Sequence, residues 1–139
     1  MIIRQAKETD MHIIQKLAQN AKLDTDVMPS DEYLAAVEND QIIGFGRTIN
    51  HPDCTEFSSL FVIKQKRNFG IGTLITKEQL KLSQKQGKAI YLATIIPVFF
   101  ENIGFKKTTN YPQSMIKDSS WCEGCASPEK CTMMKYEHT

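Results

Sequence analysis

The sequence reads VIKQKRNFGIGT from Val62 to Thr73, and this stretch decides the fold. Apolar residues before it are typical of a strand, and the periodic apolar residues after it are typical of a helix. The first N–H groups of a helix have no acceptor within the helix and carry partial positive charge. Gly70 and Gly72 let an anion approach the backbone, Arg67 adds charge, and Thr73 adds a hydroxyl donor. The turn therefore predicts a phosphate-binding site.

The spacing of this loop excludes two common phosphate motifs. Arg67, Gly70 and Gly72 follow a strand and open a helix, with Lys66 as a second positive charge. The Gly-Lys-Ser/Thr ending of a Walker loop is absent, and so is the third glycine of a dinucleotide fingerprint. The loop is thus predicted to be a phosphate-binding loop of a different kind.

Outward from the loop, the pattern predicts alternating strands and helices. The predicted strands cover residues 2–6, 33–38, 41–49, 54–63 and 89–96, with a last strand after Gly104. The predicted helices begin at Thr9 or Asp10, at Gly70 and at Pro97, and residues 22–31 are predicted as a loop. Gly44 and Gly46 inside a strand indicate a bend or a close backbone approach. The order β-α-β-β-β-α-β-α-β predicts an α/β fold in which a mixed sheet is flanked by helices.

Length and composition set the class of protein. The chain has 139 residues, 41% of them hydrophobic, and a formal net charge of +1. This fits one compact domain and gives no general attraction to nucleic acid or to a membrane surface. The start lacks the pattern of a signal peptide, and no apolar run suits a membrane helix, so a cytoplasmic location is the expectation. We expect a core over residues 1–110 and a Cys-rich tail over 111–139, packed on the same domain.

The loop resembles the acetyl-CoA-binding motif of the GNAT superfamily of N-acyltransferases, Arg/Gln-x-x-Gly-x-Gly/Ala. The resemblance extends to the opening strand and helix, to the LFV lead-in at residues 60–62, and to FFENIGF at residues 99–105. It implies a mostly antiparallel twisted sheet with two splayed parallel central strands that hold pantetheine between residues 60–62 and 89–94. The cofactor-binding residues that it implies are Phe61, Val62, Arg67, Asn68, Phe69, Gly70, Ile71, Gly72, Thr73, Phe99, Phe100 and Asn102.

Two residues bear on the chemistry that the resemblance implies. Some family members carry a catalytic glutamate where Glu56 lies, six residues before Val62. Strand alternation predicts that Glu56 shares a face with Ser58, Leu60 and Val62. Many relatives have a tyrosine at the position of Phe100, where it protonates the leaving sulfur. Phenylalanine has no such proton, so the sequence departs from the family here.

The tail contains Cys122, Cys125 and Cys131, and the first two form a Cys-x-x-Cys pair. Such thiolates can hold a structural zinc, whose fourth ligand would have to come from Cys54, His51 or His138. Free thiols and a Cys122–Cys125 redox disulfide are the alternatives. With Tyr111-Pro112, this tail resembles that of N-acetylglutamate-synthase-like GNAT proteins.

The resemblance implies an N-acetyltransferase that moves the acetyl group of acetyl-CoA to an amine of a small molecule or an amino acid. The alternatives are a non-catalytic acyl-CoA-binding module and a zinc-ribbon nucleic-acid binder, the latter opposed by the low net charge. No pattern in the sequence identifies the acceptor. The oligomeric state is open, with a homodimer as one candidate.

Overall fold

The computed structural model describes residues 1–23, 28–116 and 131–137. Within these ranges the chain forms a seven-stranded sheet in the order β1-β2-β3-β4-β5-β7-β6, with helices on both faces. The strands are β1 Ile2–Gln5, β2 Tyr33–Glu38, β3 Gln41–Asn50, β4 Thr55–Val62, β5 Ile90–Thr94, β6 Phe105–Lys107 and β7 Thr132–Tyr136. The helices are α1 Met11–Asn20, α2 Ile71–Ser83 and α3 Pro97–Glu101.

Every pair of neighbouring strands is antiparallel except β4 and β5, which are parallel. The crossover between these two strands contains α2, as a parallel connection requires. The predicted mixed, mostly antiparallel sheet is therefore confirmed. Asn39 and Asp40 both have positive φ in the β2–β3 turn, which matches the backbone twist of a tight hairpin.

Two hydrophobic layers position the central strands. On one face Ile14 and Ala18 of α1 pack with Tyr33 and Phe45. On the other face α2 covers β3 and β4, and a Cβ added at Gly46 would lie 2.8 Å from the side chains of Ile75 and Gln79. The close backbone approach predicted from the glycines of β3 is thereby confirmed.

The parallel strands β4 and β5 pair only at their beginnings. Thr55 is opposite Ile90 and Glu56 is opposite Tyr91, and beyond these residues the two strands separate. β4 continues along β3, while β5 continues along β7. The sheet therefore contains a V-shaped gap between two of its central strands, as the splayed pair of the prediction requires.

β4 contains a bulge that the sequence did not reveal. Ser59 has a φ of 52°, and the register with β3 shifts between Phe45 and Arg47. One extra residue in a strand reverses the alternation of side chains beyond it. Leu60 and Val62 accordingly pack with α2, on the face opposite to Glu56. The predicted common face with Glu56 is therefore wrong for Leu60 and Val62, which lie beyond the bulge.

The strand β7 was also not predicted. It lies between β5 and β6, and Met134 at its centre is fully buried. The sequence spacing also predicts a buried stripe on α2 of Ile71, Leu74, Ile75 and Leu82, and this needs correction because Leu74 and Leu82 are exposed. The boundary at residue 110 stays a prediction, although residues 132–136 belong to the sheet.

Candidate functional site

The loop between β4 and α2 presents a run of unpaired backbone donors. Among the described residues, none of the N–H groups from Asn68 to Thr73 donates to a backbone acceptor; the first such bond of the helix joins Leu74 N–H to the carbonyl of Gly70. Asn68 and Gly70 have positive φ, which turns successive N–H groups toward one side. A Cβ added at Gly70 would meet no atom within 4 Å, so the space beside the loop is open.

The two basic side chains of this loop, Lys66 and Arg67, differ in whether their charge is already paired. Lys66 forms an ion pair with Glu38, and this hydrogen bond holds the pKa of the Glu38 carboxyl below its usual value. The positive charge of Lys66, which was expected to help bind phosphate, is thus partly neutralised by Glu38. Arg67 is exposed, and its Nε donates to the carbonyl of Val62 at 2.8 Å while its guanidinium lies 5.7 Å from the ring centre of Phe61. These contacts hold Arg67 at the end of β4, beside the donor run.

The aromatic residues of α3 divide between the gap and the core. Phe99 is half-buried, and its ring lies against the start of α2. A Cβ added at Gly72 would be 3.4 Å from Cζ of this ring. Phe100 is buried in the cluster that contains Phe105. Asn102 is exposed at the end of α3. Phe69 lies at the rim of the loop and is 74% exposed.

At the closed end of the gap, Glu56 is 5% exposed and contacts a histidine. Its Oε1 lies 2.8 Å from Nε2 of His51, which belongs to the turn between β3 and β4. The side chain of His51 is 22% exposed, against 7% for that of Glu56. A buried carboxylate in contact with a partly exposed imidazole is an arrangement that can accept and pass on a proton.

The same end of the gap holds a buried thiol. Cys54 packs with Tyr91 and Met115, and burial raises its pKa to about 11. Asp53 next to it accepts a hydrogen bond from Ser114, which lowers the pKa of the Asp53 carboxyl. Cys54 is therefore a neutral thiol at ordinary pH and a packing residue rather than a nucleophile.

The predicted metal ligands fall largely outside the described residues. Cys122 and Cys125 lie in the range 117–130, and Cys131, which precedes β7, is half-buried. Within the described ranges no group of three or more His, Cys, Asp or Glu side chains could hold a metal ion. A structural zinc has no support from this part of the chain.

Sequence reasoning named His51 only as a possible zinc ligand and missed its contact with Glu56. Its contact with Glu56 depends on the hairpin register, in which Ile49 faces Glu56 and the N–H of His51 donates to the carbonyl of Cys54 at 2.9 Å. The available signal was the short turn at residues 51–53 between two predicted strands, which brings His51 back beside the second strand. A surface cavity of about 430 Å³ is lined by Gln84, Lys88, Ala89, Ile90 and Tyr136. Among the described helices, none has the length and apolar character needed to cross a bilayer.

Comparison with known proteins gives one family and several solved structures. The model of the acetyltransferase (GNAT) domain matches residues 29–107, more than half of the chain. No curated protein sequence matches. Rv2747 of Mycobacterium tuberculosis, solved in complex with CoA and NLQ, is similar with a TM-score of 0.79 and 17% identity over 100% of both chains.

Two further structures have the same fold. The N-acetylglutamate synthase of Neisseria gonorrhoeae, complexed with coenzyme A and N-acetyl-glutamate, has a TM-score of 0.74 and 14% identity over 99% of this chain and 35% of that one. This chain therefore spans about a third of that enzyme. A GNAT-family acetyltransferase of Staphylococcus aureus Mu50 has a TM-score of 0.69 and 17% identity over 97% of both chains. At these identities the likeness concerns the fold.

Proposed function

The chain belongs to the GNAT acetyltransferase family, and from this premise we propose that it transfers the acetyl group of acetyl-CoA to a primary amine of a small molecule or an amino acid. The observation that carries the proposal is the run of six N–H groups at residues 68–73 without backbone acceptors among the described residues, next to the gap between β4 and β5. The first feature suits a diphosphate and the second suits an extended thioester arm.

The diphosphate of CoA would lie on the N–H groups of residues 68–73. Each of these groups provides a hydrogen bond to an ionised oxygen, which is stronger than a bond between neutral groups. Arg67 adds a fixed positive charge at the end of β4, and Phe69, Ile71 and Thr73 complete the loop. Phe99 covers the start of the helix, and Asn102 offers an exposed amide beyond it.

The pantetheine arm would lie along the open edge of β4. Phe61 and Val62 pair with β3 on one side only, so amide groups of the arm can pair with the other side as an added strand does. This arrangement brings the thioester toward the closed end of the gap. A backbone N–H of the open edge near Phe61 would then stabilise the oxyanion that forms when the amine attacks.

Glu56 would act as the general base. The acceptor amine must lose a proton before or during its attack on the thioester carbonyl, and a carboxylate at the closed end of the gap can receive it. Glu56 is buried and is in contact with His51, so its position is fixed. A homodimer is compatible with this scheme.

A second candidate is a non-catalytic acyl-CoA-binding module, favoured by one observation. Phe100 is buried in the core and lacks the hydroxyl that could protonate the leaving sulfur. In the enzyme, the thiolate would leave without this acid or would take its proton from another group. Tyr91 is paired opposite Glu56 and is the tyrosine best situated for that role.

The test is a release assay for free CoA thiol with acetyl-CoA and a panel of amines and amino acids. We expect turnover with at least one acceptor, with mass spectrometry showing the acetylated amine. Tight binding of acetyl-CoA without turnover across the panel would favour the binding module. Absence of CoA binding would contradict both candidates.

A further inference from the structure

Acetyl transfer to an ammonium group releases one proton in each turnover. The acceptor enters as R–NH₃⁺, the amide product keeps one of its three N–H protons, and the thiol product takes another. The third proton must reach solvent. Glu56, the base of the proposed function on which this inference rests, has a side chain that is only 7% exposed. A base buried to this degree needs a partner that carries its proton out before the next turnover.

His51 occupies the place where such a partner is needed. Its Nε2 lies 2.8 Å from Oε1 of Glu56, within hydrogen-bond distance, and its side chain is about three times as exposed as the carboxylate, 22% against 7%. An imidazole has two nitrogens, so it can accept a proton at one and release another from the opposite one. The pair therefore links the closed end of the gap to the surface.

The backbone of His51 is held on both sides. Its N–H donates to the carbonyl of Cys54 at 2.9 Å, and its carbonyl accepts a hydrogen bond from Nζ of Lys88 at 2.8 Å. Lys88 belongs to the segment before β5, so the contact joins the two strands of the parallel pair at their base. Such anchoring fixes the backbone of His51 at the start of β4, and the contact of Nε2 with Oε1 of Glu56 orients the imidazole.

We infer that His51 is a positioning residue that orients Glu56 and returns its proton to solvent. Oε1 of Glu56 takes a proton from the acceptor nitrogen. With His51 in its Nδ1–H form, that proton passes across the hydrogen bond to Nε2, and the imidazolium that forms loses its Nδ1 proton to water. The carboxylate is restored and one proton has been released, and the imidazole, now protonated at Nε2, exchanges its ring protons with water to return to the Nδ1–H form before the next turnover.

The experiment compares two variants of His51 with one variant of Glu56 and one of His12. His51→Gln can still donate a hydrogen bond to the carboxylate but cannot relay a proton, and His51→Ala leaves space for imidazole added to the buffer. Glu56→Gln removes the base, and His12→Gln changes an exposed histidine of α1 as a control. The probe is acetyl-CoA with the best acceptor of the amine panel, measured in single turnovers and at steady state.

We expect His51→Gln and His51→Ala to lower kcat by roughly 10- to 100-fold, less than the loss from removing a direct general base. The dissociation constant of acetyl-CoA should stay within about twofold, because the phosphate loop is unchanged. Added imidazole should restore kcat of His51→Ala but not that of Glu56→Gln. His12→Gln should match the wild type.

The outcomes separate the inference from the proposed function. Wild-type rates in both His51 variants, with Glu56→Gln impaired, would overturn the inference and leave the base in place. A loss that imidazole does not restore would mean that His51 is only structural, and would overturn the inference too. Wild-type activity of Glu56→Gln, or no turnover with any amine, would remove the proposed base and the relay together.

A measurement on the wild-type protein covers the case in which a variant does not fold. If proton exit through His51 limits turnover, kcat in D₂O should be lower than in H₂O, and added imidazole should leave this ratio unchanged because the path is already present. An isotope effect that imidazole abolishes in the wild type would overturn the inference.

Discussion

The two ends of strand β4 differ in their pairing and in the groups that they present. At the first end, Thr55 and Glu56 pair with both β3 and β5 and are buried. At the other end, Phe61 and Val62 pair with β3 alone and are half-buried beside the donor run of residues 68–73. One end provides a fixed, buried carboxylate, and the other provides accessible N–H groups.

This difference follows from what each group needs. A carboxylate that exchanges protons works best when burial and a hydrogen-bond partner fix it. A diphosphate needs several N–H donors that are not used within the fold. Because the parallel pair closes at one end and opens at the other, β4 holds the carboxylate at its first end and leads into the donor loop at its other end. Ser59 separates them, since the bulge turns Leu60 and Val62 onto the α2 face.

The open end should be the most sensitive to a single added charge. We expect Gly70→Asp to abolish CoA binding, because a carboxylate would stand where phosphate binds and a Cβ at a φ of 79° is strained. Gly87→Asp is the matched control, since Gly87 has a φ of 71° and equally open space at the other end of α2. Titration calorimetry with CoA measures the effect, and equal affinities in the two variants would contradict the assignment.

At the closed end, the expected effect is on rate rather than on binding. Glu56→Gln should lower kcat by about 10²- to 10⁴-fold, the contribution of a general base, without weakening acetyl-CoA binding. Glu78→Gln on α2 serves as the control for removing one carboxylate. Steady-state kinetics beside direct binding measurements test this. A parallel loss of affinity would mean that Glu56 supports the cofactor instead.

The bulge between the ends should matter for stability. Ser59→Val places a β-branched side chain at a φ of 52°, which should cost about 1–3 kcal/mol of unfolding free energy. Ser59→Gly relieves the same strain, and Ser58→Val makes the same chemical change without it. Urea denaturation gives the three free energies. If Ser59→Val were as stable as Ser58→Val, the bulge would not be a constrained element.

The smallest expected effect concerns the buried thiol at the closed end. The pKa of Cys54 is raised by burial from 9.0 to about 11, so the folded state keeps its proton to higher pH than the unfolded state. Stability from this source is fully present below pH 9.0 and is lost as the pH rises toward 11. Between pH 9 and pH 10 the loss should be about 1 kcal/mol. Urea denaturation of the wild type and of Cys54→Ala measures this loss of stability, which should occur in the wild type alone. Parallel losses in the two proteins would mean that the thiol is not shielded from water.

Much of this arrangement could be predicted from the sequence, for local reasons. The strands and helices of residues 1–107 have short-range periodicity, and the phosphate loop combines a strand end, two glycines and a helix start within twelve residues. Each of these signals depends on neighbours along the chain. The structure therefore has the predicted elements in the predicted order up to β6.

The features that could not be predicted depend on contacts between distant segments. β7 lies between β5 and β6 because of pairings with residues 27 to 44 positions away, which a five-residue strand does not encode. Ser59 carries no sequence signal for positive φ, unlike glycine or asparagine. The His51–Glu56 contact requires the register of the β3–β4 hairpin.

The central claim is that the backbone amides of residues 68–73 bind the diphosphate of CoA. Amide NMR of ¹⁵N-labelled protein, titrated with CoA, tests this most directly. We predict that the largest chemical-shift changes fall on these six amides. Unchanged amides at residues 68–73, with the largest changes instead at residues 84–90 around the surface cavity, would contradict the claim.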